Sequence, residues 1–221
     1  MDAINITLLS FFGVYNVFHL IICFFEKEQI RRITKPFCLI FLFGFALYNK
    51  PLSPLVYIAI MLGVIGDIFF LRKKERKMFL IGTIFFFSGH FLYLFELIRE
   101  TVLFTSIYFY VGLFTILLLC CFLLYPMTKK IAGKLSLLGN IYVPYLALTA
   151  ILSLTLGFLE LVPLSESIFV SIGYILFLTS DSIIVYSSFK KDFKRKDFYI
   201  MVFYLLAQFF IVFGLTYIII L

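Results

Sequence analysis

The chain has 221 residues, of which 63% are hydrophobic and only 14% charged. A soluble domain is nearer half apolar and a quarter charged, so a water-soluble fold is excluded by composition. The net charge of +7 would suggest nucleic acid in a soluble protein. Here the basic residues lie in short loops between apolar runs, where they orient a membrane protein and attract anionic lipid; no nucleic-acid partner is expected.

Charged boundaries cut the chain into apolar runs near 3–25, 36–48, 52–71, 78–98, 102–124, 135–158, 165–189 and 198–221. A spanning helix needs ~20 apolar residues. The fold class read from this pattern is all-α: a polytopic membrane bundle of about eight transmembrane helices, one domain over 1–221. The first run, Ala3 to Phe25, has no Lys or Arg before it and exceeds a typical signal-peptide core, so it is read as a permanent helix. The second run is short: it rises only ~20 Å against a hydrocarbon core of ~30 Å. It either begins before Pro36, near Ile33, or sits where the bilayer thins.

The charge pattern retains that second helix. Alternate loops carry Lys27, Arg31, Arg32 and Lys35; Arg72, Lys73, Lys74, Arg76 and Lys77; Lys129, Lys130 and Lys134; and Lys190, Lys191, Lys194, Arg195 and Lys196. Only Lys50 and Arg99 fall on the other side. The positive-inside rule places those four loops in the cytoplasm and both termini outside. Asp67 and His90 are separated by 23 residues across a basic loop, as are Asp181 and Tyr204. That spacing suggests a parallel repeat of helices one to four and five to eight, with coincidence as the competing reading.

Cys23, Cys38, Cys120 and Cys121 all lie within apolar runs and form no Cys-x-x-Cys pair; they read as small buried hydrophobes. Ionisable groups inside a membrane are costly and mark function by default. Asp67, Glu96, Asp181, His19 and His90 fall inside the runs, with Gln208 as a further polar group. Counting from the nearest charged boundary puts Asp67 ~7 Å deep, Asp181 ~13 Å, and His90 and Gln208 ~15–20 Å. These four therefore lie between the cytoplasmic face and the midplane, where one cavity can hold them. His90 and Tyr93 share a helix face, as do Tyr204 and Gln208. Gly63, Gly66 and Gly89 let backbones approach closely, and Ser180 and Ser182 bracket Asp181.

Structural readings compete with these. Asp67 can pair with Arg72 or Lys73 at the interface, and His90 can be a neutral interhelical hydrogen-bonding group. Glu96 stands three residues before Arg99 and reads as an interfacial ion pair; His19 reads as near the interface. A zinc hydrolase wants about three His or carboxylate ligands plus an open position, and only one His is well placed. No cofactor or metal is expected, an Asp–Asp–His set being the one combination left open.

Five segments, in this order, resemble the YhhN family of lysoplasmalogenase-like membrane proteins. They are TKP at Thr34–Pro36, GD at Gly66–Asp67 within MLGVIGDIFFL, GHFLY at Gly89–Tyr93, SDS at Ser180–Ser182 within GYILFLTSDS, and YLLAQ at Tyr204–Gln208. The sixth helix departs from the family pattern, with Pro144 followed at once by Tyr145; no role is carried there. The resemblance implies hydrolysis of the vinyl-ether bond of lysoplasmalogens to a fatty aldehyde and glycerophosphoethanolamine or glycerophosphocholine. That chemistry needs a proton donor, a carboxylate facing an oxocarbenium ion, and a positioned water, and two carboxyls in different environments divide such roles. The expected catalytic set is Asp181 as acid, Asp67 stabilising the cation or orienting water, and His90 shuttling protons or holding an aspartate; the alternative exchanges the two aspartates. Tyr93, Ser180, Tyr204 and Gln208 are the expected substrate- or water-binding groups. Lys35, at the cytoplasmic mouth, is expected to meet the lipid phosphate. The expected partners are a lysophospholipid substrate and membrane lipids, in the inner membrane of a bacterium or the endoplasmic reticulum of a eukaryote. The alternative function is a proton-coupled transporter or lipid-binding membrane protein.

Overall fold

The computed structural model describes residues 2–49, 54–72, 75–99, 101–132, 136–189 and 191–216. Every regular element among them is helical. The chain runs through α1 (Ala3–Phe24), α2 (Glu28–Thr34), a 3₁₀ turn (Lys35–Phe37), α3 (Ile40–Asn49), α4 (Leu55–Phe70) and α5 (Arg76–Ile98). A second 3₁₀ turn (Val102–Thr105) then leads to α6 (Ile107–Ala132), α7 (Ser136–Phe158), α8 (Leu164–Phe189) and α9 (Lys196–Thr216). Helix is what an apolar chain must adopt in lipid, because only internal bonds can satisfy its backbone. By length and composition α1, α5, Asn140–Phe158, Leu164–Ser187 and α9 are able to cross a bilayer, while α4 and Ile107–Cys120 are shorter apolar helices.

The second run differs from its expected form. Pro36 cannot donate a backbone hydrogen bond, and it sits at the start of a 3₁₀ turn. The regular helix begins only at Ile40 and has 10 residues, a rise of about 15 Å. The basic segment before it folds back as the short helix α2. The turn into α2 is a left-handed closure of α1: Glu26 has φ 55°, and the Lys27 and Glu26 amides bond back to the Ile22 and Cys23 carbonyls. The same pattern ends α7, where Glu160 has φ 58° and Leu161 and Glu160 bond back to Leu156 and Gly157. Both are the paired carbonyl bonds that commonly finish a helix.

Helix α9 is the hub. It packs along α8 and also meets α1, α3, α4 and α5. Leu205, Ala207, Ile211, Val212 and Leu215 are buried there with Leu42, Phe45, Val56 and Ile60. Glycine sets the spacing of the main pairs. A Cβ on Gly173 would stand 2.5 Å from Ile211 Cγ1 and 2.9 Å from the Ala207 carbonyl oxygen, so α8 and α9 touch backbone to side chain. Polar side chains add specific ties. Asn5 and Asn49 exchange amide bonds between α1 and α3. Ser171 donates to the Ala150 carbonyl between α8 and α7. Around the outside, large apolar side chains such as Val14, Phe25, Ile33, Phe114 and Phe122 are exposed; apolar surface this extensive belongs against lipid.

Candidate functional site

The site begins with Asp67 near the end of α4, only 2% exposed. Its Oδ1 is 2.9 Å from Lys35 Nζ, and its Oδ2 accepts a 2.7 Å bond from the Tyr204 hydroxyl of α9. Lys35 was expected at the mouth, facing lipid phosphate. It is instead buried, because the 3₁₀ turn that Pro36 starts packs on α4 and turns the ammonium inward. The pairing of Asp67 with its own helix end is not seen: the Arg72 guanidinium lies beside Glu75, and Lys73 is outside the described residues.

One turn along α9 from Tyr204, Gln208 Oε1 accepts a 3.0 Å bond from the Tyr93 hydroxyl of α5. Gly63 of α4 makes the room: a Cβ there would lie 3.7 Å from the Tyr204 hydroxyl and 3.9 Å from Gln208 Nε2. Of the four groups expected to share a cavity, Asp67 and Gln208 are thus joined through Tyr204 and Gly63, with Tyr93 bonded to Gln208; His90 and Asp181 lie beside them.

His90 lies beside this cluster, buried in an aromatic cage. Its ring lies 4.2 Å from Phe177, 5.4 Å from Tyr174, 5.8 Å from Tyr93 and 6.3 Å from Tyr142, centroid to centroid. Neither ring nitrogen has a hydrogen-bond partner among the described residues. A buried polar atom without a partner is rare and calls for a reason. His90's carbonyl, by contrast, accepts from the Tyr145 and Tyr174 hydroxyls.

Asp181 stands one turn beyond Phe177 on α8. Protein surrounds most of it, yet part of its surface stays accessible. It interacts with the Tyr142 hydroxyl and lies within electrostatic reach of Lys35 and Asp67, although the Tyr142 oxygen has no well-formed hydrogen bond. Asp67 is the more buried of the two acids, Asp181 being only partly buried. Burial follows from neighbours, and Asp67 has three elements around it. Phe177 links the two groups, its ring 4.2 Å from that of His90 and 5.7 Å from that of Tyr204.

Ser180 does not face this site. Its hydroxyl donates to the Ile200 carbonyl and ties α8 to α9, while Ser182 bonds to Leu178 on its own helix. Glu96 lies 3.5 Å from Arg99, the ion pair expected from their spacing. His19 is fully buried, with Nδ1 2.7 Å from the Thr34 hydroxyl. Sequence reasoning missed Tyr142, Tyr174 and Phe177. Tyr174 and Phe177 precede Asp181 by seven and four residues, which puts all three on one helical stripe; that spacing was the available signal.

Taken together, fold and site define a polytopic helical membrane protein with a cluster of buried polar and ionisable side chains inside its bundle. The chain belongs to the YhhN family, whose model matches residues 30–215. That family membership suggests a lysoplasmalogenase-like role. No curated protein and no solved structure matches the chain.

Proposed function

We propose that the protein is a lysoplasmalogenase-type hydrolase that cleaves the vinyl ether of a lysoplasmalogen by acid-catalysed hydration. A proton adds to the alkene carbon remote from oxygen, leaving an oxocarbenium ion. Water adds to the carbon that bears the ether oxygen and loses a proton. The hemiacetal then expels the glycerol oxygen, which takes up a proton, giving a fatty aldehyde and a glycerophospho-alcohol. Each step moves only protons and water, so two carboxyls suffice.

The observation that supports this reading is the contrast between the aspartates. Both oxygens of Asp67 accept bonds, from Lys35 and Tyr204, and a carboxylate used as an acceptor twice has no proton to give. Its role is to face the cation and, with Tyr204, to hold water. Asp181 has no cation at ion-pair distance among the described residues, retains an accessible face, and is the acid. Lys35 is a positioning residue that fixes Asp67. His90, with two unused ring nitrogens beside Tyr142, carries protons between Asp181 and the pocket.

The test is aldehyde release from lysoplasmenyl-ethanolamine by protein purified in detergent. Wild type is expected to turn over, and Asp181→Asn and Asp67→Asn to lose at least ~100-fold, the usual scale for a positioned acid or base. Full activity in both variants overturns the mechanism. Substrate-dependent proton flux in vesicles without any aldehyde release would favour a transporter instead.

A further inference from the structure

Pro36 sets a problem that α1 solves. In the 3₁₀ turn over Lys35–Phe37 the Cys38 amide bonds to the Lys35 carbonyl. The Thr34 carbonyl therefore lacks the donor, four residues on, that a continuing α-helix would give it. A carbonyl inside the fold needs another partner, and α1 supplies one: the Tyr15 hydroxyl donates to it at 2.9 Å, with the Cys38 thiol a weaker donor at 3.7 Å. At the far end of the same turn, Asn16 Nδ2 donates to the Cys38 carbonyl at 3.0 Å. His19, fully buried and unused by the hydrolysis proposed above, holds the Thr34 side chain through Nδ1 at 2.7 Å.

The donor roles follow from that hydroxyl. Thr34 has a single O–H proton, and its oxygen stands 3.0 Å from the Ile30 carbonyl, which can only accept. The hydroxyl therefore donates to Ile30 and accepts from His19 Nδ1–H. Nε2 is left as an acceptor facing the Cys23 thiol at 3.5 Å. His19 follows Asn16 and Tyr15 by three and four residues, so all three reach the turn from one side of α1. Lys35 lies between the anchored residues Thr34 and Cys38, with its ammonium 2.9 Å from Asp67 Oδ1. A buried ion pair is favourable only when its geometry is held. The flexible stem of a lysine does not hold it; the seating of its backbone does.

We infer that His19 is a positioning residue of the site, acting with Tyr15 and Asn16: this face of α1 seats the Thr34–Cys38 turn so that Lys35 meets Asp67. The consequence for catalysis rests on the hydrolase reading above; the seating itself does not.

Turnover and melting of the full-length protein in detergent test it. In aldehyde release from lysoplasmenyl-ethanolamine, His19→Leu is expected to lower kcat about tenfold, the scale of a small misplacement near the chemistry. KM is expected to stay within about twofold, because the residue acts through Asp67 and not on substrate. Asn Nδ2 stands the same number of bonds from the backbone as His Nδ1, so His19→Asn is expected to recover most of kcat and His19→Gln is not. Equal loss in the Leu and Asn variants, or wild-type kcat in folded His19→Leu, overturns the inference. Thermal unfolding gives a cycle that needs no substrate. His19→Leu is expected to lower the melting temperature of wild type at least about twice as much as that of Lys35→Met/Asp67→Leu, which has no ion pair to seat; equal shifts overturn the inference. Should His19→Leu fail to fold, Tyr15→Phe, at a half-buried position, takes its place in both measurements, with about a threefold loss of kcat expected and an unchanged kcat as the contrary result. Coupled melting without any aldehyde release would keep the positioning role and sink the hydrolase reading; aldehyde release that ignores His19 would do the reverse.

Discussion

Lys35 and Asp67 form an ion pair at 2.9 Å in which neither side chain is more than one-tenth exposed. Removing one partner of such a pair leaves a buried charge, which costs about 3–5 kcal/mol, whereas replacing both by apolar groups is often near neutral. Lys35→Met and Asp67→Leu are therefore each expected to lower the melting temperature strongly, and the double variant to recover most of the loss. A double-mutant cycle on thermal unfolding in detergent checks this, with additive losses as the contrary result.

The Tyr204 hydroxyl completes the shell of Asp67 at 2.7 Å. Tyr204→Phe keeps the ring that packs on Phe86 and Phe177 and deletes only the donor. A hydrogen bond to a charged group contributes about 1.5–3 kcal/mol, so that loss of stability is expected, together with reduced aldehyde release. Unchanged melting would show that Asp67 does not depend on this bond.

His90 separates stability from function. Its ring nitrogens make no hydrogen bond among the described residues, and an apolar ring of similar shape in such a cage is expected to be neutral or stabilising. His90→Phe should keep or raise the melting temperature while lowering kcat about 10²-fold or more, the contribution of a positioned proton carrier. Wild-type kcat in this variant would remove His90 from the mechanism.

Gly173 sits where a methyl group has no room against Ile211 and the Ala207 carbonyl. Gly173→Ala is expected to cost about 1–3 kcal/mol by overpacking, since the α8 and α9 backbones must part. Gly112, with nothing near its Cβ position, is the internal control, and Gly112→Ala is expected to leave melting unchanged or slightly raised. Comparison of the two melting curves tests the spacing.

Glu28, outside the spanning helices, gives a pH dependence. Burial opposes its ionisation, but hydrogen bonds from Arg31 and Arg32 outweigh that and hold the carboxyl below its ordinary 4.5. A carboxyl depressed in the folded state adds stability above its unfolded pKa and loses it as pH falls through the folded value. The stability gap between wild type and Glu28→Gln is thus expected to be full at pH 7 and to close below about pH 4. The gap is small because the side chain is 47% exposed; a gap that widened on acidification would contradict the pairing.

The sequence by itself determined the membrane class, the long helices and which acids and aromatics lie in them, because lipid imposes apolar length and internal hydrogen bonding on every span. It also paired Glu96 with Arg99 and aligned Tyr204 with Gln208, since both relations are local to one helix. Only the tertiary structure decided that Asp67 takes Lys35 rather than Arg72, that His19 is buried against Thr34, and that Ser180 serves the α8–α9 contact. It also decided that Tyr142, Tyr174 and Phe177 enclose His90. Each of these depends on how one helix is rotated and seated against another. Helical periodicity fixes which residues share a face; the rotation that chooses the opposing face is set by packing along the whole length of the neighbours, such as the glycine-spaced contact of α8 with α9.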